Sequence, residues 1–174
     1  MITIRRITTT EPDTLMQLSE LLIDAIEGGA SVGFLSPVSR SSIELYWQGV
    51  LSALDKGLVL LLAEEEGRIV GSVQLDPCQK ENGRHRAEVQ KLFVLRSHRG
   101  RGISSLLMQA TEEQATALGR TLLHLDTLAG SPAESIYQHL GWQRVGEIPD
   151  YAAEPGGVLF PTVIFYKKLP MFSE

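Results

Sequence analysis

Arg99-Gly100-Arg101-Gly102-Ile103-Ser104 lies between a hydrophobic run, Val89 to Leu95, and an amphipathic stretch, Ile103 to Leu118. That order predicts a strand, a glycine turn and a helix. The two glycines let the backbone approach a ligand and aim several amide N–H groups at one point. The helix dipole adds partial positive charge there, and two arginines add full charges. Such a turn is a seat for a phosphate. A P-loop would need a lysine and then Ser or Thr after its last glycine, whereas Ile103-Ser104-Ser105 follows here, which disfavours nucleotide hydrolysis. Gly100 and Gly102 have the first spacing of the dinucleotide fingerprint, but Ser105 occupies its third glycine position and the motif lies beyond mid-chain.

Beyond the helix, Leu122, Leu123 and Leu125 read as a further strand ending at Asp126. Strand, crossover helix and strand make a βαβ unit, so the strands around Val94 and Leu125 are expected to be parallel and joined by a right-handed crossover. Ligands of such units lie outside the carboxyl ends of the strands, where the glycine turn and Asp126 both fall. The inner face of the helix is read as Ile103, Leu106, Leu107, Ala110, Ala117 and Leu118, stopped by Gly119. Ser131-Pro132-Ala133-Glu134 then starts a short helix carrying Ile136, Tyr137 and Leu140 to Gly141. Trp142 to Ile148 and Thr162 to Leu169 supply the last strands.

Toward the N-terminus, Ala87 to Leu95 is a long strand. Leu58 to Ala63 and Ile69 to Leu75 read as an antiparallel hairpin, with Glu64, Glu65 and Glu66 as a solvated turn. Ile2 to Ile7 alternates as a half-buried strand does, and Thr10, Pro12 and Asp13 mark the start of a helix carrying Leu15, Leu18, Leu22, Ala25 and Ile26. A second helix begins near Ser41, whose partner three residues on is Glu44, and presents Ile43, Trp47, Val50, Leu51 and Leu54 inward. Between these helices, Gly28-Gly29-Ala30-Ser31-Val32-Gly33-Phe34 is a small-residue loop, readable as a connector or as a substrate-gripping loop.

The chain of 174 residues, 43% hydrophobic, is of a size for one domain over residues 1–174. No apolar run reaches the roughly 18 residues of a membrane span, and Met1 to Arg6 lacks the marks of a secretory signal, so a cytoplasmic location is expected. Cys78 is the only cysteine, which leaves no internal disulfide. The four histidines show no metal-ligand spacing, and no metal is expected. A formal net charge of −5 opposes broad nucleic-acid binding, so the arginines of the turn suit a small anion better than a phosphate backbone.

The hairpin, the strand Glu88-Val89-Gln90-Lys91-Leu92-Phe93-Val94, Arg-Gly-Arg-Gly, a helix, a strand, and Tyr137 followed by Gly141-Trp142 together resemble the GNAT superfamily of N-acetyltransferases. The family's phosphate motif is Gln or Arg, two residues, Gly, one residue, then Gly or Ala. It is matched by Arg99, Gly102 and, imperfectly, Ser104. Within the family, Gly28 to Phe34, Arg86 to Leu92, Leu122 to Thr127 and Arg144 to Glu147 resemble toxin-resistance members most. The resemblance implies an α/β (α+β) fold: a mixed, strongly twisted sheet of about six to seven strands with a central parallel pair, flanked by about four helices. It implies acetyl-CoA as cosubstrate and a small amine, an amino-acid-like toxin or antibiotic, as acceptor. Acetylation of protein N-termini or lysines, and a non-catalytic coenzyme A binding module, stand as alternatives. Partners expected are thus acetyl-CoA and a small amine, with no nucleic acid and no membrane, and with a homodimer left open.

The family's residues carry over as follows. Leu92, Phe93 and Val94 would pair with the pantetheine arm and offer an N–H to the thioester oxygen, with Arg99, Gly100, Arg101, Gly102, Ile103 and Ser104 on the pyrophosphate. Gly130 stands where many members carry a cofactor-holding asparagine, which leaves Ser131 to take its part. Acetyl transfer needs an uncharged amine nitrogen, and an alkyl amine has an unperturbed pKa near 10.4, so a carboxylate base is useful. Glu88 and Asp126 are the candidates, one to take the proton and one to orient the amine, in either order; outward-facing charge and strand-end cap are their structural readings. Tyr137 matches the family's helix tyrosine, placed to protonate the departing thiolate, and reads otherwise as a core aromatic. Val32 and Phe34 would line the acceptor pocket. Cys78, in a loop with no triad pattern, is read as a thiol without a catalytic part.

Overall fold

A computed structural model describes residues 1–9 and 11–170. Its order is β1 (Ile2–Arg6), α1 (Thr14–Glu27), α2 (Arg40–Ala53), β2 (Val59–Glu65), β3 (Arg68–Pro77), β4 (Arg86–Val94), α3 (Ile103–Ala117), β5 (Leu122–Leu128), α4 (Pro132–His139), β6 (Gln143–Ala153) and β7 (Leu159–Lys168). The strands form one seven-stranded sheet in the order β1-β2-β3-β4-β5-β7-β6. Among the described residues only β4 and β5 run parallel, as the intervening helix requires. The expected architecture of a mixed sheet, four helices and a central parallel pair is what the chain forms.

Register decides which residues share a face. Gln74 lies opposite Gln90 and Asp76 opposite Glu88, and Glu88 lies opposite His124. Cross-strand partners point the same way, and so do alternate residues of one strand, so Glu88 and Asp126 lie on one face. Helix α2 marks that face, because the Gln74 amide donates to the Tyr46 hydroxyl at 2.9 Å. The opposite face carries Leu123, Leu125, Val163 and Phe165, all buried. Tyr137 of α4 packs there against Phe165, ring centroids 5.9 Å apart. The sheet is thus a partition with α1 and α2 on one side and α3 and α4 on the other.

Several local expectations need correction. The cap of α2 is Ser39, whose side chain accepts from Ser42 N–H, two residues before the expected start. Asp13 precedes α1 without a side-chain cap, and the Thr10 part of that signal lies outside the described residues. The buried face of α3 is Ile103, Leu107, Met108, Thr111 and Ala115, whereas Leu106, Ala117 and Leu118 are exposed. Thr111 enters the core because its hydroxyl donates to Leu107 C=O at 2.8 Å, which satisfies its polarity inside the helix. Strand β5 continues past Asp126 to Leu128.

The three glutamates are not all solvated turn. Glu66 and Gly67 take positive φ at the tip, the geometry of a tight hairpin turn. Glu64, however, pairs with Arg5 of β1 at 2.7 Å, and Glu65 pairs with Arg101 at 2.7 Å. Trp47 and Trp142 are buried, as expected. Among the described residues, no helix is long and apolar enough to cross a membrane.

Candidate active site

The glycine turn has the backbone its sequence calls for. Gly100 and Gly102 adopt φ of 74° and 75°, in the left-handed region that glycine enters at little cost. Gly102 is the N-cap of α3 and offers no side chain to close the helix. Leu106 N–H, bonded to Gly102 C=O, is the first to find a partner in the helix. Among the described residues no protein acceptor takes the N–H groups of Ile103, Ser104 and Ser105. These donors, at the positive end of a 15-residue helix, fit an anionic phosphate group. Ile103 is buried and anchors the turn, whereas Ser104 is half-buried.

Both arginines are exposed, and their guanidinium groups are engaged with the protein. Arg99 Nε donates to Val94 C=O at 3.4 Å. Arg101 makes two hydrogen bonds to the Glu65 carboxylate, 2.9 and 2.7 Å, and His98 Nε2 lies 3.4 Å from the same carboxylate. The Arg101 pair holds Glu65 below its usual carboxylate range and raises Arg101. Arg101 therefore braces the turn against the end of β2.

Beyond the turn the sheet opens. Strands β4 and β5 pair at three positions, Arg86 with Leu122, Ala87 with Leu123 and Glu88 with His124, and no further pairs follow. Opposite β3, the register of β4 slips between Gln90 and Phe93, so that Lys91 and Leu92 face a single residue, Val73. Lys91 takes φ of 54°, unusual for a side-chain-bearing residue. This bulge turns β4 away from β5 and leaves a V-shaped gap. Leu92, Phe93 and Val94 form its β4 side, with Phe93 paired to Ser72 and Val94 to Gly71 on the far edge.

Glu88 stands at the apex of the V, half-buried, and Asp126 lies two residues beyond the last pair on β5, exposed. Asp126 Oδ2 accepts from the Thr162 hydroxyl at 3.0 Å, which fixes one oxygen of the carboxylate. On the other side of the partition, Tyr137 is buried against Trp142 and Phe165. Burial, with the Asp126 charge adding to it, pushes its phenol well above the usual range. Ser131 caps α4 by position, its hydroxyl 3.5 Å from that of Thr127. The Glu134 carboxylate accepts from Gly130 N–H instead of closing a box on Ser131.

Val32 and Phe34 lie in the loop between α1 and α2, both half-buried against the core, and Phe34 meets the Tyr46 ring edge-on at 5.5 Å. The loop is held to the β6–β7 hairpin by Ser36 N–H donating to Pro155 C=O at 2.7 Å. It roofs the face of the sheet that carries Glu88 and Asp126. The structure thus gathers Glu88, Asp126 and the loop on one side of the gap, and Tyr137, Ser131 and the glycine turn on the other or at its end. Cys78 lies apart, its N–H bonded to Arg86 C=O at the opposite end of β4.

Two residues of this region were not singled out from sequence. Lys91 reaches from the bulge toward the loop: a Cβ built on Gly33 would stand 3.6 Å from its ammonium. Its sequence signal is the doublet Gln90-Lys91, which breaks strict alternation inside an apolar strand. Arg96 ties the segment before the glycine turn to α1: its backbone N–H and Nε hold Asp24 at 2.8 and 2.9 Å, and Glu27 lies 3.2 Å away. Such long-range pairing has no local signal.

Comparison with known proteins agrees with this geometry. The model of the acetyltransferase (GNAT) family matches residues 20–142. An uncharacterized N-acetyltransferase in the hisH–hisA intergenic region of Azospirillum brasilense is 33% identical over 127 residues, 72% of this chain and 74% of that protein. Among solved structures, a Brucella melitensis ribosomal-protein-alanine N-acetyltransferase superposes with a TM-score of 0.79 at 24% identity, covering 96% of this chain and 99% of that one. A GNAT superfamily phosphinothricin acetyltransferase from Sinorhizobium meliloti, in complex with AcCoA, gives 0.79 at 18% identity, covering 97% and 88%.

Proposed function

The chain belongs to the GNAT acetyltransferase family, and on that premise we propose that it moves the acetyl group of acetyl-CoA to the amine of a small, amino-acid-like toxin or antibiotic by direct attack in a ternary complex. The observation that carries this reading is the parting of β4 from β5 after Glu88. It leaves one gap with unpaired strand edge and helix N-terminus toward one side and two carboxylates toward the other.

Acetyl-CoA supplies an activated acyl carbon as its thioester. The N–H groups at the start of α3 fit the pyrophosphate, and Ser131, at the start of α4, takes the part of the asparagine that many family members carry at Gly130. The free edge of Leu92 to Val94 pairs with the pantetheine arm and offers an N–H to the acyl oxygen. Glu88 and Asp126 share the tasks of removing the amine proton and orienting the amine. Tyr137, whose phenol stays protonated, gives a proton to the sulfur. Val32 and Phe34 line the acceptor pocket.

The acceptor class draws support from the resemblance of Gly28 to Phe34, Arg86 to Leu92 and Leu122 to Thr127 to the tabtoxin resistance protein, and from the phosphinothricin acetyltransferase among the structural neighbours. A second reading, acetylation of a protein N-terminal residue, draws on the neighbour named for ribosomal-protein alanine. We propose further that residues 1–174 are a single acetyltransferase domain acting in the cytoplasm, and that two copies associate through β6, an edge strand exposed along most of its length.

Release of free thiol from acetyl-CoA across a panel of amino acids, aminoglycosides and N-terminal peptides tests the reading. Turnover is expected with small amino-acid-like amines, and turnover with peptides alone would favour the second reading. Glu88→Gln or Asp126→Asn should lower kcat/KM about a hundredfold or more, the scale of a lost general base. Unchanged turnover from both would remove the carboxylates from the mechanism.

A further inference from the structure

We infer that Lys91 is the acceptor-specificity residue of this site, recognising a carboxylate or similarly compact anion that the acceptor carries a few bonds from its reacting amine. The inference rests on the acetyltransferase reading above and deepens it by naming the charge pattern of the acceptor. It begins with backbone. Lys91 occupies the bulge of β4 at φ 54°, in the left-handed region that side-chain-bearing residues seldom adopt. From the bulge a long side chain runs toward the loop that bears Val32 and Phe34.

The ammonium is close under that loop, 3.6 Å from where a Gly33 Cβ would be, an ordinary contact distance. Asp126 and Glu88 are the charged groups that act on it, and burial pulls its pKa down against their opposing pull. Yet neither carboxylate is within 4.0 Å, and among the described residues Lys91 has no ion pair and no hydrogen bond. Asp126 is held by Thr162 instead. A lysine serving only as counter-ion to these carboxylates would close on one of them, as Lys167 does on Glu112 at 2.7 Å.

A half-buried cation with three unused donors, set beside two carboxylates, matches a zwitterion. The acceptor's amine goes to Glu88 and Asp126, and its anionic group goes to Lys91. Amines without an anion leave Lys91 half-buried and unpaired; those with one complete the site. Discrimination arises from that difference.

The test compares L-amino acids with their carboxamides and their decarboxylated amines, by thiol release, in wild type, Lys91→Met and Lys91→Arg. Wild type is expected to favour the acids over both analogues by about tenfold to a hundredfold in kcat/KM, as for a charge-assisted hydrogen bond. Lys91→Met should lose at least tenfold on the acids and less than threefold on the amides, and Lys91→Arg should keep part of the preference. Acetyl-CoA affinity, measured by calorimetry, should be unchanged in both variants. Equal wild-type turnover of acids and amides, or an equal loss on both in Lys91→Met, overturns the assignment and leaves the acetyltransferase reading standing. No turnover of any panel member while acetyl-CoA binds overturns the small-amine reading and this assignment with it.

Discussion

Tyr137 and Lys91 titrate in opposite senses because burial opposes whichever form is charged. For Tyr137 that form is the phenolate, so its folded pKa lies above the unfolded value near 10. The stability it contributes is present in full below about pH 10 and is lost only as pH rises through the folded value. The phenol is accordingly protonated across any practical assay range, and burial makes it a weaker acid than a free tyrosine. Tyr137→Phe keeps the ring against Trp142 and Phe165 and removes only the hydroxyl, so kcat should fall tenfold or more with KM for acetyl-CoA unchanged; full activity would return Tyr137 to a core aromatic. For Lys91 the charged form is the protonated one, and its folded pKa lies below the ordinary value. Between that depressed value and about 10.4 the unfolded chain binds more protons, so stability rises with pH there. Lys91→Met should therefore melt above wild type at pH 7, with the gap narrowing as pH approaches 10. Neither shift is legible in a sequence: Glu88, Asp126 and Tyr137 can be picked out by resemblance to a family, whereas Lys91 owes its position to a bulge that only pairing with β3 reveals.

At the level of elements, the strand order around the glycine turn is legible because hydrophobic runs, glycines and the Ser131-Pro132 start are local signals. The buried face of α3 is not, since the sequence pattern of Leu106, Ala117 and Leu118 competes with a face that includes Thr111, a residue whose hydroxyl is satisfied within its own helix. Glu65 is misread as solvated for a similar reason: its partner Arg101 is 36 residues away. Close packing of β3, β4 and α3 has its own marker in Gly71. A Cβ there would stand 2.9 Å from Phe93 C=O and 3.1 Å from Leu107 Cδ1, so backbone and helix would both have to move. Gly71→Ala should destabilise by about 1–3 kcal/mol, read as a lowered unfolding midpoint. Because Gly71 pairs with Val94, it should also weaken acetyl-CoA binding. A melting curve indistinguishable from wild type would show that α3 can retreat without cost.

For the molecule as a whole, the question is whether a sheet so nearly cut between β4 and β5 unfolds as one body. Three paired positions join its halves, yet other links cross the waist. Lys167 of β7 holds Glu112 of α3 at 2.7 Å. Leu169 N–H donates to Thr121 C=O, and Thr121 N–H to His85 C=O, each within 2.9 Å. The buried side chains of both halves also form one continuous cluster. These links favour a single cooperative transition. The two tryptophans report on it separately: Trp47 lies in α2 over the β1–β4 half, and Trp142 packs with Tyr137 beside β6 and β7. Urea unfolding of Trp47→Phe and Trp142→Phe, followed by the remaining tryptophan and by circular dichroism, should give midpoints that coincide between the two probes within each variant. Within either variant, a tryptophan transition displaced from that of the backbone would mean that the halves part at the V and that 1–174 behaves as two cooperative units. If the transition is single, a ligand bound across the gap stabilises both halves together, and acetyl-CoA at a hundred times its Kd should raise unfolding free energy by about 2.7 kcal/mol by either probe.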